Sequence, residues 1–350
     1  PGYDNVILHV VWEEDVDVFR RDNSAIPSLV LKPLVSAEIL ENYGRLTSEE
    51  KWINCEQDFG SFEDFQLKHW LERLFLERLE EKSKKIEELL RKSENDWEAV
   101  LFRMLSRNFG LNVNGDAFQS MAESFPFKVL QKNLQDQTRL EALLLGQAKM
   151  LAKGDQSAYF ENLKREYSFQ QHKYQLVNSG VIAPRHFRLR PDNFPGLRLV
   201  QLAAVYHRNH NLFTDLIAAR ELTPVYELFD IEVSDYWKTH YNFGRAHRSR
   251  PKRLSKNFID LLLINTIIPL KFAYSRYTGK PMEEELLELM QAVKPEKNSV
   301  VEKFELLRPG TLQSALDSQA LLQLKKYYCE KNRCLECALG SSLLQRSKPS

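Results

Sequence analysis

Ser61-Phe-Glu-Asp-Phe-Gln-Leu-Lys-His-Trp70-Leu-Glu-Arg-Leu-Phe-Leu-Glu-Arg-Leu79 decides the fold class. Its apolar residues Phe62, Phe65, Leu67, Trp70, Leu71, Leu74, Phe75 and Leu79 recur three and four apart, one stripe of a helix. Ser61 stands in position to cap the N-terminus, with Asp64 three residues on. The charged stretch Glu80 to Lys92 then carries Ile86, Leu89 and Leu90 on one face. The helix is expected to run on through it, with a solvated outer side laced by ion pairs.

Toward the C-terminus the same period repeats between turn signals. Asn95-Asp96 opens a helix from Trp97 to Asn108, closed by Gly110. Asn114-Gly115 is expected to begin the next, through Ala122 to a stop at Pro126. Further helices are expected over Gln137 to Leu151 (ending near Gly154), Ser157 to Tyr174 and Arg198 to Tyr206. Leu254 to Ala273, Met282 to Ala292, Val300 to Leu307 and Leu312 to Tyr328 complete the set. Asn178 to Leu197, with three prolines and two glycines, is irregular. Its arginines and aromatics suit an ordered loop packed across the surface.

Toward the N-terminus the pattern changes. Asn5-Val-Ile-Leu-His-Val-Val-Trp12 is β-branched and continuously apolar, the mark of a strand buried on both faces. His9 within it is expected to be a satisfied core histidine. Val18-Phe19 and Ile26 to Lys32 are further strand candidates. The fold class is therefore α+β and predominantly α-helical: a small N-terminal β element followed by a large multi-helix body. Residues 1–35 read as the remnant of a β-containing domain, and 36–350 as a helical domain closed by a C-terminal cysteine cluster. Two or three strands are marginal alone, and the chain opens at Pro1 directly into a strand-like run. A fragment lacking its true N-terminus, with the sheet completed by missing residues, is the expectation.

The 350 residues are 43% hydrophobic, ample for a core, and 49 basic against 48 acidic residues leave a formal net charge of +1. Attraction to a polyanion must then come from local patches. No uninterrupted apolar run reaches membrane-spanning length, so no membrane partner is expected. Four cysteines make no disulfide scaffold, and a reducing cytoplasm is the default.

Three of those cysteines fall within nine residues, Cys329-Glu-Lys-Asn-Arg-Cys334-Leu-Glu-Cys337, and the fourth is Cys55. C-x4-C-x2-C has the look of three ligands awaiting a fourth, with Cys55 the natural one and His69 or His172 substitutes for zinc. Thiolates hold zinc and iron–sulfur clusters, so either is the candidate cofactor, structural in role. The alternative is four ordinary buried thiols. Two arginine-rich stretches are candidate nucleic-acid contacts. Arg188 and Arg190 alternate in an extended segment beside Phe187 and Phe194. Arg245, Arg248, Arg250, Lys252 and Arg253 form the most basic window, just after Tyr236, Trp237, His240, Tyr241 and Phe243. The first could equally anchor its loop by bonding carbonyls, and the second could be a solubilising loop only. No nucleophile elbow, phosphate loop or zinc-protease motif is present, and no catalytic residue is assigned.

Tyr3-Asp-Asn-Val-Ile-Leu-His-Val-Val11, Trp52-Ile-Asn-Cys55, Glu141-Ala-Leu-Leu-Leu-Gly-Gln147 and Arg188-Leu-Arg-Pro-Asp-Asn-Phe-Pro195 together resemble one bacterial family. So do Tyr236-Trp-Lys-Thr-His-Tyr241, Asn265-Thr-Ile-Ile-Pro269, Asp317-Ser-Gln-Ala-Leu321 and the Cys329 cluster. The family is domain of unknown function 2851, which carries no established activity. Its members generally have a further N-terminal segment, faintly similar to nuclease cores. The four-cysteine arrangement is similar to that of iron–sulfur nucleases, which staple one upstream cysteine to three near the C-terminus. The resemblance thus implies a nucleic-acid-associated, nuclease-related protein. The rival expectations are a non-enzymatic interaction protein, which would expose a broad apolar patch, and an enzyme on a small molecule, with a deep polar pocket.

Overall fold

The computed structural model describes residues 4–48, 51–152 and 156–346, so Tyr3 of the first quoted stretch and Gly154 lie outside the described residues. Helices dominate, and a two-stranded parallel pair is the sheet formed among the described residues. The chain sorts into two compact units that interleave along the sequence. The first takes residues 1–74, 298–312 and 320–350; the second takes 75–297 and 313–319.

In the first unit, β1 (His9–Val11) runs parallel to β2 (Ser28–Val30), pairing His9 with Ser28 and Val11 with Val30. The expected strand buried on both faces is corrected here. Only three residues pair, and Ile7 is 86% exposed, with Leu8, Val10 and Trp12 also open. A single neighbouring strand supplies no layer to cover either face. His9 is half-buried and its Nδ1 has no hydrogen-bond partner, so it is not the satisfied core histidine expected. Val18-Phe19 contributes only an isolated antiparallel bridge, Phe19 to Ala25.

Helix Ala37–Thr47 is capped by Ser36, whose Oγ accepts from Ile39 N at 3.2 Å. It packs against helix Ala338–Leu344, and Asn42 Nδ2 donates to the carbonyls of Leu344 and Arg346, both at 3.1 Å. Buried Ile53, Phe59 and Phe304 form the centre of this unit, with the Trp52 ring edge-on to Phe304 at 4.7 Å. The long helix spans Asp64–Lys92, as the period predicts. Ser61 does not cap it. Ser61 ends a 3-10 turn (Phe59–Ser61), bonding the Asp58 carbonyl at 2.8 Å, while Arg308 donates to the Phe62 carbonyl at 2.6 Å and holds Phe62 extended. The helix therefore starts two residues late, and Phe65 turns outward, 82% exposed.

In the second unit, helix Trp97–Phe109 is capped by Asp96 as expected. Its partner in a tight hairpin, Leu111–Glu123, begins earlier than the Asn114-Gly115 signal suggests. Gly110 permits the join: a Cβ there would meet Asn114 O at 2.3 Å. Asn114 is then free to serve another loop, described below. Helix Gln137–Gln147 packs against both Ala158–Tyr174 and Pro195–Arg208, and every residue from Pro195 to Tyr206 is buried. The helix over Lys256–Thr278 contains a π turn, Leu263–Ile267, just before Pro269. By length and composition it could cross a membrane, but 83% of its most apolar window is buried in the protein.

Candidate functional site

The chain leading into Cys55 is a series of turns. Glu56 N bonds Ile53 O at 3.0 Å and Asp58 N bonds Cys55 O at 3.1 Å, around the buried anchor Ile53. Cys329 closes a second π turn, Lys325–Cys329, in which Glu330 N reaches back five residues to Lys325 O at 2.9 Å. Such single-turn widenings recur at functional sites because they re-aim a side chain. Asn332 then adopts a left-handed conformation (φ 52°), and the chain reverses into the 3-10 turn Cys334–Glu336. Cys337 caps helix Ala338–Leu344. Gly340 makes the reversal possible, since a Cβ there would stand 2.3 Å from Cys334 O.

These turns bring all four cysteines to the wall of one cavity of about 20 Å³, shared with Asn54, Tyr328 and Arg333. None is in a disulfide. The sequence expectation that they converge is met at the level of a common wall. Neither His69 nor His172 lines it; His69 stacks on Phe65 instead. Among the described residues, no group of three or more His, Cys, Asp or Glu side chains is arranged to hold a single metal ion. The thiols thus frame the cavity without closing on one point.

The donors around the cavity are the informative part. Asn54 Nδ2 donates to Cys334 Sγ at 3.4 Å. Burial, the larger effect, raises the Cys337 thiol, while the N–H groups of Gly340 and Leu339, at the start of helix Ala338–Leu344, favour its thiolate. Trp70 Nε1 is buried with no hydrogen-bond partner and lies in the field of the same sulfur. N–H donors aimed at sulfur favour thiolate over thiol. Against them, burial and then the neighbouring Cys337 and Cys334 push the Cys55 thiol up to about 12. Burial, then Cys55 and Cys337, hold Cys329 far above the ordinary thiol range. Burial thus favours the protonated thiol at Cys55, Cys329 and Cys337.

The basic residues divide into two groups. Lys252 is buried, its Nζ bonded to His240 O at 3.1 Å and set 3.3 Å over the Tyr241 ring. Arg253 pairs with Asp230 and Glu232, each at 3.2 Å, and Arg250 pairs with Asp192. These three are engaged within the second unit. Arg188, Arg190, Arg245 and Arg248 are exposed. Among the described residues, Arg190, Arg245 and Arg248 have no side-chain partner, and Arg188 rests only on the Phe187 ring at 5.0 Å. The Arg250–Asp192 pair ties the 245–253 loop to the 185–193 loop, so the two basic stretches are neighbours. Asn114 fixes the second loop from below, accepting from Arg185 N at 2.7 Å and donating to its carbonyl at 2.9 Å.

Sequence reasoning missed Asn54, Trp70, Gly340 and Asn114, which hold or surround the candidate residues. Their partners lie far away along the chain, and no local spacing signals them.

A mostly helical protein with a cysteine-walled cavity in one unit and paired basic loops in the other defines a class without an assigned chemistry. The chain belongs to the family described as Protein of unknown function (DUF2851), whose model matches residues 1–299. Cys55 and every candidate arginine fall inside the match, while Cys329, Cys334 and Cys337 lie beyond it. Neither a curated protein nor a solved structure matches the chain.

Proposed function

We propose that this chain is a nucleic-acid-binding protein whose first unit is held together by a cysteine-ligated metal centre. The observation that carries the binding role is the pairing of the two basic loops. It sets the loop of Arg188 and Arg190 beside that of Arg245 and Arg248, none of the four engaged by an acid, and exposed Phe187 lies under Arg188. Guanidinium groups on neighbouring loops suit a phosphate backbone, and an open aromatic ring suits a base. Binding of a labelled single strand, followed by anisotropy across a salt series, tests this. Four phosphate contacts give a log–log slope of about −3. Affinity indifferent to salt and to Arg188→Ala with Arg245→Ala would sink the reading.

For the centre, an iron–sulfur cluster is the reading taken over zinc, on the one-plus-three spacing of four cysteines that share one cavity wall. Cys55, Cys329, Cys334 and Cys337 would be the ligands. Iron and sulfide with a broad visible absorbance in anaerobically purified protein is expected; metal-free, colourless protein would return the cysteines to the core. The nuclease relation rests on the likeness of the cysteine arrangement alone, and cleavage of labelled DNA with added divalent metal is its test.

A second reading, an interaction protein, is favoured by a different observation. Ile7, Leu8, Val10, Trp12, Leu29, Ile39 and Leu40 are all exposed within the N-terminal segment. So many open apolar side chains mark a contact surface.

A further inference from the structure

A cavity of about 380 Å³ opens between the two basic loops. His186, two residues before Arg188, and Asn242 and Phe243, just before Arg245, line it from the two loops, with His186 and Asn242 side by side. Trp237, Met150, Ala183 and Pro184 are among its apolar residues, and Lys149 adds a charged one. The volume lies at the lower end of the range for small-ligand sites.

Three features make it a built pocket and not a packing gap. First, Trp237 is held in place. Its indole is fully buried, and its Nε1 donates to Tyr159 Oη at 2.8 Å. Tyr159 in turn donates to the buried carboxyl of Glu141 at 2.5 Å, which also accepts from Ser234 at 3.1 Å and Gln137 at 3.0 Å. Gly196 lies against the ring; a Cβ there would come within 2.8 Å of it. Second, the walls are aromatic, with Phe243 edge-on to Trp237 at 5.2 Å. Third, Asn242 Oδ1 is buried in the lining without a well-formed hydrogen bond, the His186 ring being its near neighbour. An unpaired buried acceptor is costly and is relieved by a ligand N–H.

We infer that the pocket between the basic loops receives a nucleobase, its rim packing on the aromatic walls and its exocyclic or ring N–H donating to Asn242 Oδ1, while the arginines of both loops hold the attached phosphates. Stacking between aromatic and apolar side chains, with hydrogen bonds to the base edge, is how extruded bases are held. The inference deepens the nucleic-acid reading and rests on it. The same chemistry is offered by a base within a strand and by a free mononucleotide, and the two are separated below.

The test uses the full chain with two probes, a labelled single-stranded oligodeoxyadenylate and adenosine monophosphate, the latter followed by tryptophan fluorescence. Ala183→Phe fills the cavity from its exposed rim and leaves every arginine in place. Asn242→Leu removes only the acceptor. Melting curves confirm that each variant folds. Filling is expected to weaken oligonucleotide binding about tenfold with the salt slope unchanged, and Asn242→Leu to weaken it less. Folded variants that both bind the oligonucleotide as wild type does overturn the pocket inference and leave the basic face standing. If the oligonucleotide fails to bind wild type but the mononucleotide binds and filling abolishes it, the pocket stands as a small-ligand site and the nucleic-acid reading falls. Binding of neither probe by wild type overturns both.

Discussion

Glu141 has no accessible surface, yet three donors converge on it from Gln137, Tyr159 and Ser234. Donors favour the anion and burial opposes it; burial is the larger effect and pushes the carboxyl up to about 7. A carboxyl raised in the folded state contributes stability that is fully present below its unfolded value near 4.5 and is lost as pH rises through 7. The shift corresponds to about 3 kcal/mol. Glu141→Gln is therefore expected to flatten the decline in unfolding free energy between pH 4.5 and 7, measured by urea melts at several pH values; an unchanged pH profile would place the titration elsewhere. Gly340 is the second decisive residue. Gly340→Ala forces a methyl against the Cys334 carbonyl at 2.3 Å, and a clash of that kind costs about 1–3 kcal/mol. Lower stability is the expected outcome, read from a denaturant melt; were the proposed centre present, the metal content of the same preparation would fall with it. At this scale the cysteines were legible because thiols clustered at ligand-like spacing are uncommon. The engagement of Arg250, Lys252 and Arg253 was not, because Asp192, Asp230, Glu232 and His240 meet them only through the fold.

Among the elements, long helices with clear caps are those that read directly. Asp96 caps where expected and Ser157 caps the helix it is expected to begin, since each side chain accepts from the backbone N–H three residues on, a strictly local interaction. The π turns escape such reading. Leu263–Ile267 looks like ordinary apolar helix, and its widening depends on two distant facts: Pro269 cannot donate, and Lys82 Nζ donates to Ile264 O at 3.1 Å. Lys82→Met leaves that carbonyl without its partner, at about 1–3 kcal/mol. The expected loss appears in thermal melts, and faster amide exchange should localise to residues 262–270; exchange unchanged there would show that the Lys82 bond is dispensable. The strands misled for the converse reason. Composition gave them the look of a buried pair, but what covers a strand is a property of its neighbours.

For the whole molecule, the division into two units predicts that unfolding is not a single transition. If the first unit carries the proposed centre, a chelator under anaerobic conditions is expected to lower its melting by several degrees and leave the second unit in place, because metal-binding free energy is folding free energy for the unit that holds the ligands. Differential scanning calorimetry with and without chelator decides it; one cooperative peak moving as a whole would contradict the division. The interleaving of the units also orders events in time. During synthesis, residues 1–74 emerge before the body of the second unit, and their partners at 298–312 and 320–350 only after it. At about 5–20 residues per second, Cys55 waits tens of seconds for Cys337. Throughout that interval the second unit can fold, while the N-terminal segment, with its open apolar side chains, trails from the ribosome as an unfinished client for chaperones.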